Sequence, residues 1–591
     1  MEIALLVDKT NTFGLRQDVN IIREGLKAAD SGSVRIREAD PLEPPVPCDV
    51  AIHLEVPAYG WMPWCLTNFL LLNPEWYYQE EWESYLKHFD GVIFRDEASE
   101  ARFNKLYPDV RTWVLPWCTA KDAALTTKEA QPSMNHQDGF VWFLGGSVSK
   151  RAAAEHFLPF WKESYPPLHV YATKALDLSG VTLSKNVTFS AEDLSAETRK
   201  KLAAFYPGHI VLSKTEAFGY TAAEAQANGA FVILNDLEVY KSNYTTDIYN
   251  AWITTPKAMK NFASIVDFSQ LKAEEVQGQF DAAVKKFLDT DLVNVRLLQR
   301  SLGADARDLF LKTSFPHFWK SAKELMAKKK TSKPKNLPPV INQDDCPSIS
   351  IVTLLYNRRK FFDLACHNIM LSDYPKAKIE WIIVEDSDDL NEDASDRVVQ
   401  VGMKAAPLTL VYIPLDKKTP IGEKRNIGIE RAKNDIILMM DDDDHYPQTS
   451  FRRRVGWLTK HPWKPKAVAC TTIACYDLLR GVSAVNMPPW TLPLRKRISE
   501  ATLTFYRSWW EKQKFPSDVS MSEGEGLLVG RESDVLEVPP QQIIVAFSYK
   551  GNTSGRRIPA DDAKPGCFWG FPKEFLIYIH KLAGVEVEEE K

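Results

Sequence analysis

Short apolar runs recur along the chain, each followed by a stretch whose apolar positions fall three or four residues apart. In the first half these runs are "IALLV" (3–7), "DVAIHLEV" (49–56), "DGVIF" (90–94), "TWVLP" (112–116), "FVWFLGG" (140–146), "LHVYA" (168–172), "HIVLS" (209–213) and "AFVIL" (230–234). Strand-length runs alternating with helical stretches predict an α/β fold, with parallel sheets wound by helices. A polar stretch at 119–138 splits this region into halves of similar size. The reading is two Rossmann-like lobes with a cleft between them, 1–130 and 131–326. Lysines, prolines and polar residues then interrupt the helical pattern of 291–325 in "AKKKTSKPKNLPPVINQDDCPS" (327–348), which predicts a linker over 327–346. After it, "SISIVTLLY" (348–356), "IEWIIVED" (379–386), "LTLVYIP" (408–414) and "DIILMM" (435–440) restart the rhythm as a separate α/β domain, 347–591.

Composition narrows the function classes. A chain of 591 residues exceeds one core, at roughly 100–200 residues per domain. With 45% hydrophobic and 26% charged residues it is an ordinary globular composition, and 17 Trp supply both cores and flat platforms for ligands. A net charge of −5 argues against a large nucleic-acid footprint, which needs a basic face. The eight cysteines lie far apart with no Cys-x-x-Cys pair, so reduced thiols are expected. "MEIALLVDKT" lacks a basic leader and reads as a first strand, and no window approaches ~18 consecutive apolar residues. The expected location is therefore the cytoplasm, with peripheral docking required for any lipid-linked acceptor. The sequons at Asn186, Asn243 and Asn552 are then chance matches.

The densest chemistry is "DIILMMDDDDHYP" (435–447), where Asp441, Asp442, Asp443 and Asp444 follow a buried-type strand. Open α/β sheets bind ligands at the carboxyl ends of their strands, and Asp-x-Asp there can hold a hard divalent cation against a diphosphate. Mutual repulsion makes such crowding costly unless a cation offsets it. A solvated acidic turn is the plain alternative.

Together with "SISIVTLLYNR", "WIIVEDSDD", "GEKRNIGIERAKNDIILMMDDDD" and "SEGEGLLVGR", this segment resembles the family 2 glycosyltransferases of the GT-A fold. The resemblance implies Mn²⁺ or Mg²⁺ held by Asp441, Asp443 and Asp444, with Asp441 also on the nucleotide-sugar side. It implies Asp386 at the nucleotide base, Tyr356 and Asn357 on the bordering loop, and Arg425 and Asn426 facing the nucleotide. The acidic acceptor-side motif departs from the family's Glu-Asp: here the order is Glu-Gly-Glu-Gly, so Glu525 is the expected catalytic base and Glu523 its alternative. "SYKGNTSGRR" (548–557) reads as a loop over phosphates or a surface turn, and Trp490, Trp509 and Trp510 as sugar-stacking or core aromatics.

In the first half, "KTEAFGYTAAEAQANGAFVILND" (214–236) sets Glu216 and Glu224 around a Phe-Gly, before an alanine-rich helix that Gly229 should stop. A helix N-terminus facing an anion, with two carboxylates for hydroxyls, is one reading, and an ordinary amphipathic helix the other. The stretch resembles the Glu-x7-Glu motif of retaining glycosyltransferases of the GT-B fold, especially family 4. That implies Glu216 at the donor sugar, Glu224 at the ribose and Lys150 at the diphosphate. The Arg usual after the first Gly of the "FLGGSVSKR" loop is missing, leaving Lys150, Arg151 or Lys214 to compensate. His53 is either an acceptor-side group in the cleft or a buried, satisfied histidine.

The expectation is a bifunctional glycosyltransferase, a GT-B unit followed by a GT-A unit. It would use nucleotide-sugar donors such as UDP- or GDP-sugars on a glycan or glycoconjugate acceptor. Alternatives are catalysis by the GT-A unit alone with acceptor-binding lobes, a non-catalytic carbohydrate-binding scaffold, or a nucleotidyltransferase using the acidic cluster. The last lacks a Gly-rich Lys-Ser/Thr phosphate loop.

Overall fold

The computed structural model describes the chain apart from residues 12–13, 31, 33, 42, 44, 122–131, 146, 174–175, 177, 179, 245–248, 333–340, 462, 490–491, 550–551, 553–565, 568 and 586–591. The chain divides into two compact units, Met1–Ala58 with Cys65–Ser332, and Tyr59–Trp64 with Lys333–Lys591.

The first unit holds two six-stranded parallel sheets. Strands Glu2–Leu6 (β1), Arg35–Ala39 (β2), Cys48–Leu54 (β3), Cys65–Leu71 (β4), Gly91–Phe94 (β5) and Thr112–Val114 (β6) lie in the order β2-β1-β3-β4-β5-β6. Strands Phe140–Leu144 (β7), Leu168–Ala172 (β8), Val187–Ala191 (β9), Gly208–Val211 (β10), Phe231–Asn235 (β11) and Asn250–Ile253 (β12) lie in the order β12-β11-β10-β7-β8-β9. Each order has a switch point, between β1 and β3 in one lobe and between β7 and β10 in the other, where parallel sheets open a crevice for ligands. The hairpin Lys257–Lys260 (β13) and Ala263–Val266 (β14) follows. The eight apolar runs of the first half all form strands. Four further strands of these sheets, β2, β4, β9 and β12, escape the pattern, two of them for evident physical reasons. Arg35–Ala39 is an edge strand with polar positions, and Cys65–Leu71 buries Thr67 and Asn68, which bond to the Asp49 carbonyl and the Asp90 carboxylate.

The last helix of this unit, Phe315–Ser332, returns to the first lobe, where Phe318 meets Phe69 and Trp113 edge-on and Trp319 donates to Asp30 at 3.2 Å. It extends six residues into the stretch expected as linker, because lysines propagate a helix well. Ile341 and Cys346, at that stretch's far end, are buried in the second unit's core, and 333–340 lie outside the described residues.

The second unit is built on a seven-stranded sheet. Its strands are Ile349–Leu355 (β15), Ile379–Glu385 (β16), Thr409–Pro414 (β17), Ile436–Met439 (β18), Ala467–Ala469 (β19), Thr504–Tyr506 (β22) and Val535–Glu537 (β23). The order is β17-β16-β15-β18-β22-β19-β23, parallel through β18 and antiparallel at β22. A smaller sheet joins Ile473–Asp477 (β20), Val482–Asn486 (β21) and Val545–Ser548 (β24). Ile437, Leu438 and Met439 are fully buried, each contributing about 1.5–3 kcal/mol of apolar burial to the strand that carries the aspartates. The switch point falls between β15 and β18, so the loops after these two strands share one crevice. Among the described residues no helix is long and apolar enough to cross a membrane.

Candidate functional site

In the second unit the four aspartates begin two residues past the end of β18, after Met440, and the surrounding elements fix their backbone. The Asp441 amide donates to the Tyr446 hydroxyl at 2.9 Å, which donates to the Ala501 carbonyl. Asn368 donates to the Asp444 carbonyl at 2.8 Å, and Phe547 N of β24 donates to Asp444 Oδ1 at 3.1 Å. Arg454, fully buried, donates to the carbonyls of Met439 and Leu503 and so fastens the end of β18 to β22. Four adjacent carboxylates held this rigidly must be neutralised.

Two guanidiniums supply part of the charge. Arg358 lies 3.1 Å from Asp442 Oδ1 and 2.9 Å from Asp443 Oδ2, while Arg425 lies 3.7 Å from Asp441 Oδ1. Asp443 Oδ2 also accepts from Tyr549 and Asn552. Oxygens of Asp441, Asp443 and Asp444 approach within 4.8 Å of one another, and Asp442 Oδ2 is buried without a hydrogen-bond partner. Burial, opposed by Arg358 and reinforced by Asp443 and Asp441, pushes the Asp442 carboxyl up to about 8. An all-oxygen donor set of three carboxylates fits a hard divalent cation such as Mg²⁺ or Mn²⁺.

The remaining expected residues of this unit lie around the same crevice in different roles. Asp386, at the end of β16, is buried, with one oxygen against the Lys424 ammonium and the other accepting from Thr419 N at 2.8 Å. Asn357 has a left-handed backbone (φ 51°), which Asn tolerates, and receives the Asp388 and Asp389 amides on its Oδ1. Its amide and the Tyr356 hydroxyl both donate to Asp388. Arg425 sits on the helix Ile421–Arg431, which presses so closely on β15 that a Cβ at Gly428 would meet Val352 at 2.6 Å. The next residue has partners inside the protein. Asn426 is buried and its amide is committed to both backbone groups of Phe515 and to the Trp510 indole, so it braces the helix.

Of the two acceptor-side glutamates, Glu523 is buried and takes Arg425 Nε at 2.7 Å, whereas Glu525 is 38% exposed with Arg495 and Lys496 within 3.8 Å. Glu500 went unremarked in the sequence. Its Oε1 accepts Gly524 N at 3.2 Å, and burial together with Glu523, against Arg425, pushes its carboxyl up to about 7. No motif marks it; only the return of the chain before β22 brings it there. Lys424 and Arg358 were hidden likewise, as one more Lys in a helix and one more Arg after a strand. Trp509 and Trp510 are buried core residues, and Trp490 lies outside the described residues with most of 548–557.

In the first unit, Glu216 follows β10 at the switch point and pairs with Lys150 from the helix Val148–Phe157. Ser213 links them, accepting from Lys150 at 2.7 Å and donating to Glu216 at 2.9 Å, with the Tyr240 hydroxyl 3.3 Å from each. Glu224 is engaged elsewhere, by Arg199 at 2.8 Å and by Gln17 of the opposite lobe at 3.2 Å. Lys214 lies 6.0 Å from the Phe268 ring centre, and no bond among the described residues joins it to the Ser213 cluster. Arg151 pairs with Glu155 on its own helix. The helix Tyr220–Asn228 ends at Gly229, whose φ of 78° is the left-handed stop the sequence predicts. His53 is fully buried. The Ala58 amide donates to its Nδ1 and Nε2 meets Asn68 Oδ1, which requires the neutral ring, and burial lowers its pKa to about 4. Of its two readings, the satisfied core histidine is the one present. Across the lobes, Tyr220 donates to Asp18 at 2.5 Å and accepts from Trp117 at 2.7 Å, and Asp18 pairs with the buried Arg95.

The family-model match falls on the second unit. Residues 350–497 match the model of Glycosyl transferase family 2, so the chain contains a domain of that family. The poly(ribitol-phosphate) beta-N-acetylglucosaminyltransferase TarS of Staphylococcus aureus is 21% identical over 112 residues, 19% of either chain. The amylovoran biosynthesis glycosyltransferase AmsE of Erwinia amylovora is 33% identical over 55 residues, 9% of this chain and 21% of the relative. The chain thus spans about a fifth of the length of these curated relatives. Among solved structures, the mannosyltransferase PcManGT from Pyrobaculum calidifontis with GDP-Man and Mn²⁺ aligns at 18% identity and TM-score 0.28, over 39% of this chain and 63% of that one. TarS 1–349 with UDP-GlcNAc aligns at 16% and 0.28, over 35% and 60%.

Proposed function

We propose that the second unit transfers a sugar from a nucleotide donor, a UDP- or GDP-sugar, to a hydroxyl of a glycan or glycoconjugate acceptor, with inversion and with a divalent metal. One observation carries this reading. The convergent oxygens of Asp441, Asp443 and Asp444 sit at the switch point of the sheet, within the residues 350–497 that match a family 2 glycosyltransferase model. These three residues would hold the cation, and when bound it offsets the charge growing on the leaving diphosphate. Arg425, anchored by Glu523, adds a fixed positive charge beside Asp441. Asp386, held by Lys424 and Thr419, borders the base side with Tyr356 and Asn357. The acceptor oxygen bonds to the anomeric carbon as the bond from that carbon to the diphosphate oxygen breaks. Its proton passes to a carboxylate. Glu525, the more exposed of the two motif glutamates, is the base, and Glu523 positions Arg425.

The first unit we read as a second, GT-B-type transferase, metal-independent and retaining, with Glu216 at the donor sugar, Glu224 at the ribose and Lys150 at the diphosphate, Lys214 lying outside that set. Two transferases on one chain raise the effective concentration of the second site for a shared glycan. A specific observation favours the narrower alternative, in which these lobes only bind acceptor: Glu216 and Lys150 neutralise each other, and Glu224 is already bound by Arg199 and Gln17.

The test is release of nucleoside diphosphate from a panel of UDP- and GDP-sugars with acceptor glycans, in Mn²⁺ or EDTA, by the wild type, Asp443→Ala and Glu216→Ala. Loss of all turnover in EDTA and in Asp443→Ala, with Glu216→Ala unaffected, selects the single-site reading. A donor that survives EDTA and is lost in Glu216→Ala selects the two-site reading. Turnover that ignores both EDTA and Asp443→Ala removes the metal-dependent assignment.

A further inference from the structure

Arg358 is the side chain that the proposed chemistry leaves without a task. It follows the left-handed Asn357, whose backbone amide donates to Ser387 and whose side-chain oxygen takes two amides of the loop after β16. The loop is thus built to aim residue 358 across the crevice from β15 toward β18. There the guanidinium reaches Asp442 and Asp443 together, at 3.1 and 2.9 Å, with carboxylates only 4% and 5% exposed and its own side chain 20% exposed. Asp443 belongs to the oxygen set that converges to 4.8 Å, and the second oxygen of Asp442 is buried with no partner. A cation fixed to the chain therefore occupies one face of a carboxylate that a metal ion requires.

We propose that Arg358 is an exchangeable counter-ion. In the metal-free protein it keeps the aspartate segment folded by neutralising Asp442 and Asp443, and a divalent cation must displace it from Asp443 to bind. The inference rests on the metal-dependent reading above. It makes Arg358 a positioning residue whose removal has opposite effects on two quantities. Without it the metal-free segment carries uncompensated buried charge and unfolds more readily, while the cation no longer competes with, or faces, a guanidinium about 3 Å from its ligand.

The experiment uses the full chain stripped of metal. Mn²⁺ uptake is read by the EPR signal of free Mn²⁺, and thermal unfolding is recorded in EDTA and in Mn²⁺, for the wild type, Arg358→Gln and Arg358→Lys. Arg358→Gln is expected to bind Mn²⁺ about tenfold more tightly than the wild type and to melt lower in EDTA. Its melting temperature should rise more on adding Mn²⁺ than that of the wild type. Arg358→Lys, which keeps the charge, should stay within about twofold of the wild type on this electrostatic account. Uptake by Arg358→Gln alone supports the exchange as well. Equal or weaker Mn²⁺ binding by Arg358→Gln overturns the inference and leaves the metal site standing. No uptake by any of the proteins overturns both.

Discussion

Arg425 and Glu523 form an ion pair buried on both sides, Nε to Oε1 at 2.7 Å with side chains 5% and 6% exposed, and the same guanidinium reaches to 3.7 Å from Asp441. It joins the helix before the aspartates to the acidic motif almost a hundred residues later. Arg425 carries a third demand, because its NH1 is buried without a hydrogen-bond partner. Removing one partner of such a pair leaves a buried charge uncompensated, at a cost of about 3–5 kcal/mol. Glu523→Ala and Arg425→Met should each lower the second unit's stability by that order. The double variant should recover part of the loss, since neither charge is then stranded. Denaturant unfolding of the three variants checks this, and additive losses would show that the pair is not coupled.

Asp442 and Asp443 are neighbours with different tasks. Asp443 offers its oxygen to the convergent set, whereas Asp442 is bound by Arg358 and lies outside that set. Asp443→Asn should weaken Mn²⁺ binding by at least about tenfold, since losing a ligand costs no less than losing a ligand's hydrogen-bond partner, while Asp442→Asn keeps it within a few-fold. Calorimetric titration of each variant with Mn²⁺ separates the two. Equal losses would mean that the charge of the run matters and the identity of its members does not.

The sequence made the strands and their order of chemistry legible because fully buried strands show as uninterrupted apolar runs, as Ile436–Met439 does before the aspartates. The positions of Asp386, Arg425 and the aspartates in the fold were legible for the same reason: each stands at a strand end or on a helix with a recognisable pattern. Side-chain direction was not legible. Asn426 is adjacent to Arg425 in sequence, but on a helix adjacent residues point about 100° apart, and it turns to the Phe515 backbone. Glu500 reaches the crevice only through the return of a distant chain segment, which no local pattern records, whereas Tyr549 belongs to the 548–557 stretch read as a phosphate loop or surface turn. The hidden strand Cys65–Leu71 shows the converse, with Thr67 and Asn68 buried because partners on neighbouring segments satisfy them.

In the first unit, His53 gives a pH dependence of stability with a definite sign. Its folded pKa of about 4 lies below the unfolded value near 6.5, so between these limits the unfolded chain binds the extra proton. Stability is fully present above pH 6.5 and is lost as pH falls toward 4. Unfolding of the first unit followed from pH 7.5 to 4.5 should show this loss, and His53→Asn, which cannot take up the proton, should flatten it while lowering stability at pH 7.5. A slope unchanged in the variant would assign the acid sensitivity to other groups.

Glu500 makes the opposite prediction for the second unit, and it bears on catalysis. A carboxyl ordinarily near 4.5 is pushed up to about 7 by burial and by Glu523, so the folded state keeps a proton that the unfolded chain has lost. The stability contribution is therefore present below pH 4.5 and declines as pH rises to 7, beyond which it is flat. Glu500→Gln, neutral at every pH, should remove that decline. The same protonation governs the charge beside Arg425: below pH 7 one carboxylate, Glu523, faces the guanidinium, and above it there are two. A second carboxylate offsets more of the positive charge that Arg425 presents beside Asp441, 3.7 Å away. Turnover of the wild type should accordingly show an inflection near pH 7 that Glu500→Gln lacks, with Glu525 still supplying the base in both. A pH–rate profile in Mn²⁺ decides this. If the inflection persists in Glu500→Gln, another group titrates there and Glu500 only packs against the loop.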